Sequence, residues 1–201
     1  MTSTITIGMR LRNEFNKETF IFTHDVADAS IAEFDVHLDP GGSGGGNAME
    51  HIHPHADERF TVHRGAIAVT VNGISHHVAA GESFTVPMGA SHCFRNAVDD
   101  KTELTIRFSP SGQQLRFFAN FATIVSQKTN WFKSDGAPHF LLMALILSVY
   151  RDCYFVAGPP FWLQRAIFGA LAPLARLRGY SIDVEPLPDR NPEYRLVADQ
   201  N

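Results

Sequence analysis

Residues Gly45 to Gly65 read GGNAMEHIHPHADERFTVHRG, with the spacing G-x5-H-x-H-x4-E-x6-G. After fifteen intervening residues, Gly81 to Asn96 read GESFTVPMGASHCFRN, with the spacing G-x5-P-x-G-x2-H-x3-N. In a strand, side chains two apart share a face, so His51 and His53 project together. Glu58 lies beyond a turn around Pro54, at the start of the next strand. His92 opens a third strand after the Pro87 and Gly89 turn. If these strands close into a small barrel, three imidazoles and one carboxylate meet around one point. That set suits a divalent first-row metal, with positions left open for water, substrate or dioxygen. No thiolate takes part, which disfavours a structural zinc site of the cysteine kind.

The flanking sequence supports such a barrel. Up to residue 110, short runs such as SIAEFDVHLD, ERFTVHRG, AIAVTVNG and KTELTIRFS alternate in polarity, favour β-branched and aromatic residues, and are broken by Gly, Asn, Asp and Pro. Asn72-Gly73 between two of these runs is a hairpin turn signal. After residue 110 the periodicity becomes helical, which divides the chain into a barrel at 1–110 and a helical extension with a polar tail at 111–201. Ser111 and Gln114 are spaced as a capping box, and Leu115, Phe118, Ala122 and Val125 follow at helical intervals. Pro138 is placed to open a second helix, and Ala137 to Tyr150 carries no formal charge but is too short to span a bilayer. Pro159 and Pro160 open a third helix, expected to kink at Pro173 and to stop at Gly179. The Pro-rich end reads as an extended tail.

Composition narrows the function classes. The chain has 201 residues, with 17 Lys+Arg against 21 Asp+Glu, and this balance argues against a nucleic-acid binder. The barrel half holds 8 basic and 14 acidic residues, and the helical half 9 and 7. The apolar helices are expected to pack on the barrel or on a dimer partner; a basic, apolar surface resting on a membrane is the alternative. Only two cysteines and no visible secretory signal lead to the expectation of a reducing, cytoplasmic location.

The two motifs resemble those of the cupin superfamily, over roughly residues 30 to 108. The resemblance implies a mainly β fold, a double-stranded β-helix or jelly-roll barrel, here followed by a C-terminal α-helical extension. It also implies a metal, Fe, Mn, Ni or Zn among others, held by His51, His53, Glu58 and His92. Cupins often form dimers, so a homodimer is expected. The superfamily includes dioxygenases, oxalate-degrading enzymes, sugar isomerases and binding domains without catalysis, so the resemblance supplies a site but no single reaction.

Strand parity suggests a pocket wall of Met49, Phe60, Val62 and Phe94, with Asn96 on the same interior face but in a structural hydrogen-bonding role. Such an apolar wall favours a small aromatic or apolar substrate. Arg64 reads equally as a carboxylate anchor or a surface charge. His55 belongs in the turn, His63 and Cys93 face outward, and His76 and His77 carry no assigned role. The GGSGGG run at 41–46 reads as a flexible connection, with a mobile flap as the alternative. The leading expectation is a metal-dependent dioxygenase acting on a small organic, anionic and chelating substrate, with Glu58 as a metal ligand that could also serve as a base. A non-catalytic metal- or ligand-binding module with a partner-docking helical half is one alternative. An oxygen-independent isomerase or lyase is another.

Overall fold

A computed structural model describes residues 5–45 and 48–186. Among these residues, eleven strands form two antiparallel sheets. The first sheet contains β1 (Arg10–Asn13), β2 (Glu18–Ile21), β3 (Ala32–Leu38), β5 (Asp57–Arg64), β8 (Ser83–Val86) and β10 (Thr102–Ser109), in the order β1-β2-β3-β10-β5-β8. The second contains β4 (His51–Ile52), β6 (Ala66–Val71), β7 (Ile74–Ala79), β9 (His92–Asn96) and β11 (Phe155–Val156), in the order β11-β4-β9-β6-β7. This is a mainly β, jelly-roll-like fold with helices in its C-terminal region.

Alternation in the strands decides what is buried. In β3, Phe34, Val36 and Leu38 point inward, and in the adjoining β10, Leu104, Ile106 and Phe108 do the same. Each such side chain contributes about 1.5–3 kcal/mol by leaving water. The β6–β7 hairpin turns at Asn72 and Gly73, with φ of 48° and 81°. Both angles lie in the left-handed region, which Asn tolerates and Gly adopts freely, as the sequence expectation required.

The helices are α1 (Gln114–Gln127), α2 (Phe140–Val149) and α3 (Phe161–Leu177). The expected boundary at residue 110 falls between β10 and α1. Helix α1 lies against the barrel: Leu115, Ala119 and Ala122 join its core, and Phe118 stacks on Phe108 and packs at a tilt on Phe34. Helices α2 and α3 pack together, which is why α2 can be apolar all round.

Two helix-end expectations need correction. Ser111 does not cap α1, because its hydroxyl donates to the Ala29 carbonyl while Gln114 turns inward. Pro138 does not open α2; it forms a β-bridge with Phe132, and the helix begins two residues later. Helix α3, by contrast, starts directly after Pro160, contains Pro173 and ends at Leu177, with Gly179 at a φ of 87° as the expected glycine stop. Most of the Pro-rich tail lies outside the described residues.

Candidate metal centre

Three strands carry the four expected ligands to one point. His51 on β4 pairs directly with His92 on β9, His53 follows β4, and Glu58 stands near the start of β5. One ligand atom from each residue lies within 4.8 Å of all the others. His53, Glu58 and His92 are buried, and His51 is partly exposed.

Hydrogen bonds fix how the imidazoles face. His51 Nδ1 donates to the Met49 carbonyl at 2.9 Å, His53 Nδ1 to that of Cys153 at 2.6 Å, and His92 Nδ1 to that of Ala90 at 3.1 Å. A carbonyl can only accept, so each Nδ1 carries the proton and each Nε2 is free to present a lone pair. The Nε2 atoms of His51 and His53 stand 3.1 Å apart. Glu58 Oε2 lies 2.5 Å from His92 Nε2 and 3.4 Å from His53 Nε2. Groups crowded this closely share a cation, either a proton on a ring Nε2 facing Glu58 or a metal ion between them. Three imidazoles and a carboxylate fit a divalent first-row metal.

The electrostatics agree. Burial lowers the pKa of His51 well below its ordinary value, and the neighbouring imidazoles push in the same direction, so it stays neutral. Burial alone would raise Glu58, but the charge at His92 and hydrogen bonds from both buried histidines hold it well below the usual carboxylate range. For His92, burial works downward and the Glu58 carboxylate overcomes it, so the net direction is up.

The helical half builds part of this site, which the motifs did not signal. The Cys153 carbonyl that orients His53 also accepts from Gln114 Nε2 at 3.0 Å. The Tyr154 ring stacks on His51, with centroids 4.4 Å apart and planes 9° from parallel. Strand β11 holds this segment in place by pairing with β4. Only the buried polar Gln114 at the start of an apolar helix face hinted at this.

A cavity of about 100 Å³ opens beside the cluster. Its lining includes His51, Met49, Phe94, Phe118, Met143 and Tyr154. Met49 and Phe94 therefore lie where expected, whereas Phe60, Val62 and Asn96 do not line it. Phe60 sits behind Phe94, with ring centroids 5.0 Å apart, and Val62 is buried in the barrel core. Asn96 is at the far end of β9, roughly 13 Å along the strand from His92. There it donates to the carbonyls of Asp39 and Asp100 and accepts from Thr102, which is a structural role.

The other candidates are also resolved. Arg64 is exposed and pairs with Asp100 at 3.0 Å, which settles it as a surface charge. His63 is exposed and bonds Thr105, His55 is half-buried in the turn, and His76 packs on Phe84. Cys93 is half-buried and borders the cavity rather than facing wholly outward. In the glycine-rich run, Ser43 is buried and bonds Glu18, so this part of the run forms a wall.

Comparison with known proteins places the barrel. Residues 34–107 match the family model described as a cupin domain. Residues 34–107 of the barrel are thus a cupin domain. Protein SchB of Streptomyces halstedii is 30% identical over 66 residues, which is 33% of this chain and 48% of that relative, so the match spans about half its length. Among solved structures, a cupin-superfamily sugar phosphate isomerase from Silicibacter pomeroyi is 21% identical. It covers 47% of this chain and 60% of its own, with a TM-score of 0.41. A Streptomyces PAC13 variant with uridine is 17% identical over 50% of this cupin and 75% of its own chain, with a TM-score of 0.39. At such scores neither structure informs the chemistry of this chain.

Proposed function

We propose that this cupin is a metal-dependent dioxygenase for a small, largely apolar organic substrate with an anionic chelating group. The observation that carries the reading is the buried set of His51, His53, Glu58 and His92 opening onto an apolar cavity. These four residues would hold Fe, Mn, Ni or Zn. Three neutral imidazoles and one carboxylate leave such a dication with a net charge of +1, which favours an anionic substrate. When bound, the metal supplies Lewis acidity and, where it is redox-active, the one-electron chemistry that dioxygen requires.

The chain's own residues do the rest. Tyr154, Phe118 and Met143 keep water from the cavity and present a flat apolar surface to a ring. The carbonyls of Met49, Cys153 and Ala90 hold the imidazoles in the ligating tautomer. Glu58 is ionised at neutral pH and serves first as the anionic ligand of the set.

Because Cys153, Tyr154 and Gln114 complete the site, the helical half has a role within the molecule. This favours an enzyme over a module that uses those helices mainly to dock a partner. The described residues include no helix long and apolar enough to cross a membrane. A homodimer in the cytoplasm completes the proposal. Oxygen uptake by Fe(II)-loaded protein is the test, with catechols and diketones as candidate substrates. Turnover that consumes oxygen supports the reading. Equal turnover under strict anaerobiosis would instead identify an isomerase or lyase.

A further inference from the structure

The lining of the same cavity has a second polar group, formed by Asn16, Glu18 and Ser43 beside Phe20. None of the hydrogen bonds described for these three residues reaches the histidine cluster. Glu18 Oε1 accepts from Asn13 Nδ2 at 2.8 Å, and Oε2 accepts from the Ser43 hydroxyl at 2.5 Å. Each carboxylate oxygen has further lone-pair capacity. The Asn16 backbone is pinned: its N–H donates to Asn13 Oδ1 at 3.4 Å, and its carbonyl accepts from the Ser43 N–H at 2.6 Å. Its side-chain Oδ1 is buried with no hydrogen-bond partner among the described residues. A buried acceptor without a donor destabilises a fold, and natural structures seldom keep one without use.

Gly45, the first residue of the first cupin motif, belongs to this arrangement. A Cβ added there would lie 2.2 Å from Asn16 Oδ1. Glycine at 45 therefore leaves the acceptor its place in the wall. What is missing is a donor, and its chemistry is constrained. An ammonium is disfavoured, because the Arg12 guanidinium already acts electrostatically on Glu18 and the cavity is otherwise apolar. A neutral hydroxyl can donate its single proton to the unpartnered Asn16 Oδ1 without bringing in a charge, with a Glu18 oxygen as the alternative acceptor beside it. Phe20, Phe118 and Phe121 in the same lining suit an aromatic frame.

We propose that Asn16 and Glu18 form a hydroxyl-binding subsite, so that the substrate is a compact aromatic molecule with a hydroxyl directed away from the histidine cluster. This rests on the reading of the cavity as the substrate site. The subsite confers selectivity by a simple asymmetry: a ring without the hydroxyl leaves the buried Asn16 acceptor unpaired, while a ring with it supplies the donor.

The test is calorimetric titration of metal-free protein with phenol and with fluorobenzene, two rings of similar size. Wild type is expected to bind phenol about tenfold more tightly. Asn16→Leu is expected to reverse that order, since phenol then buries its hydroxyl without a partner, and to melt no lower than wild type. Glu18→Gln should narrow the preference several-fold, and it carries the test if Asn16→Leu fails to fold. Fluorobenzene binding as tightly as phenol to wild type overturns the proposal. So does a phenol preference that survives in a folded Asn16→Leu protein or, if that variant does not fold, in Glu18→Gln. Repeating the titrations on zinc-loaded protein separates this subsite from the metal reading. A phenol preference in a protein that binds no zinc at the cluster would sink the metal reading and leave the subsite standing. Zinc binding without the preference would do the opposite.

Discussion

Glu58 and Glu18 are two buried carboxyls that the fold treats in opposite ways. Glu58 is surrounded by imidazoles and stays ionised. Glu18 is raised by burial to about 7 from an ordinary 4.5, against the hydrogen bonds of Ser43 and Asn13 and the charge of Arg12. Between those two values the folded chain keeps a proton that the unfolded chain has lost, so stability falls as pH rises through this window. The loss amounts to roughly 3 kcal/mol by the time the pH passes 7. Glu18→Gln should remove that slope, and urea titrations of both proteins between pH 4.5 and 7.5 will read the difference. Parallel pH profiles would show that Glu18 does not titrate this way. Glu58→Gln should loosen divalent-metal binding by more than the roughly 10–100-fold typical of losing an outer-shell partner. Competition with a chromogenic chelator measures this, and unchanged affinity would remove Glu58 from the ligand set.

At the level of elements, the two-residue strand β11 does more than its length suggests. It is held by Gln164, whose Oε1 accepts from the Val156 N–H and whose Nε2 donates to the carbonyls of Val156 and Pro159. Strand β11 in turn sets Cys153 and Tyr154 against His53 and His51. Gln164→Leu should therefore lower stability by about 3 kcal/mol, from several buried groups left unpaired. It should also weaken metal binding, although Gln164 touches no ligand. Loss of stability with full metal affinity would mean that β11 does not position the site. This element was not legible in the sequence, because Phe155-Val156 has no period of its own and its partner β4 is one hundred residues away. The ligand strands were legible for the opposite reason. The H-x-H pair, Glu58 and His92 lie on neighbouring strands, where parity alone fixes which side chains turn inward. Parity failed at Phe60, Val62 and Asn96, because it gives a residue's face but not its distance along the strand.

For the molecule as a whole, the apparent division at residue 110 conceals a shared interior. The aromatic chain from Phe22 through Phe34 and Phe108 to Phe118 crosses from barrel to helix and ends against His53. A chain ending at residue 110 should therefore fail to give a cooperative melt or to bind metal, as circular dichroism and chelator competition will show. A stable, metal-binding barrel of that length would refute the dependence. Half of the sequence's sixteen phenylalanines lie in this seam or the cavity wall, which periodicity could not reveal because the contacts join distant segments. The most direct test of the central claim is an anomalous-scattering map, collected at the zinc edge, from crystals grown with zinc. The account expects one strong peak about 2.0–2.2 Å from Nε2 of His51, His53 and His92 and from a carboxylate oxygen of Glu58. A map with no peak there, or with peaks only at surface histidines, would contradict it.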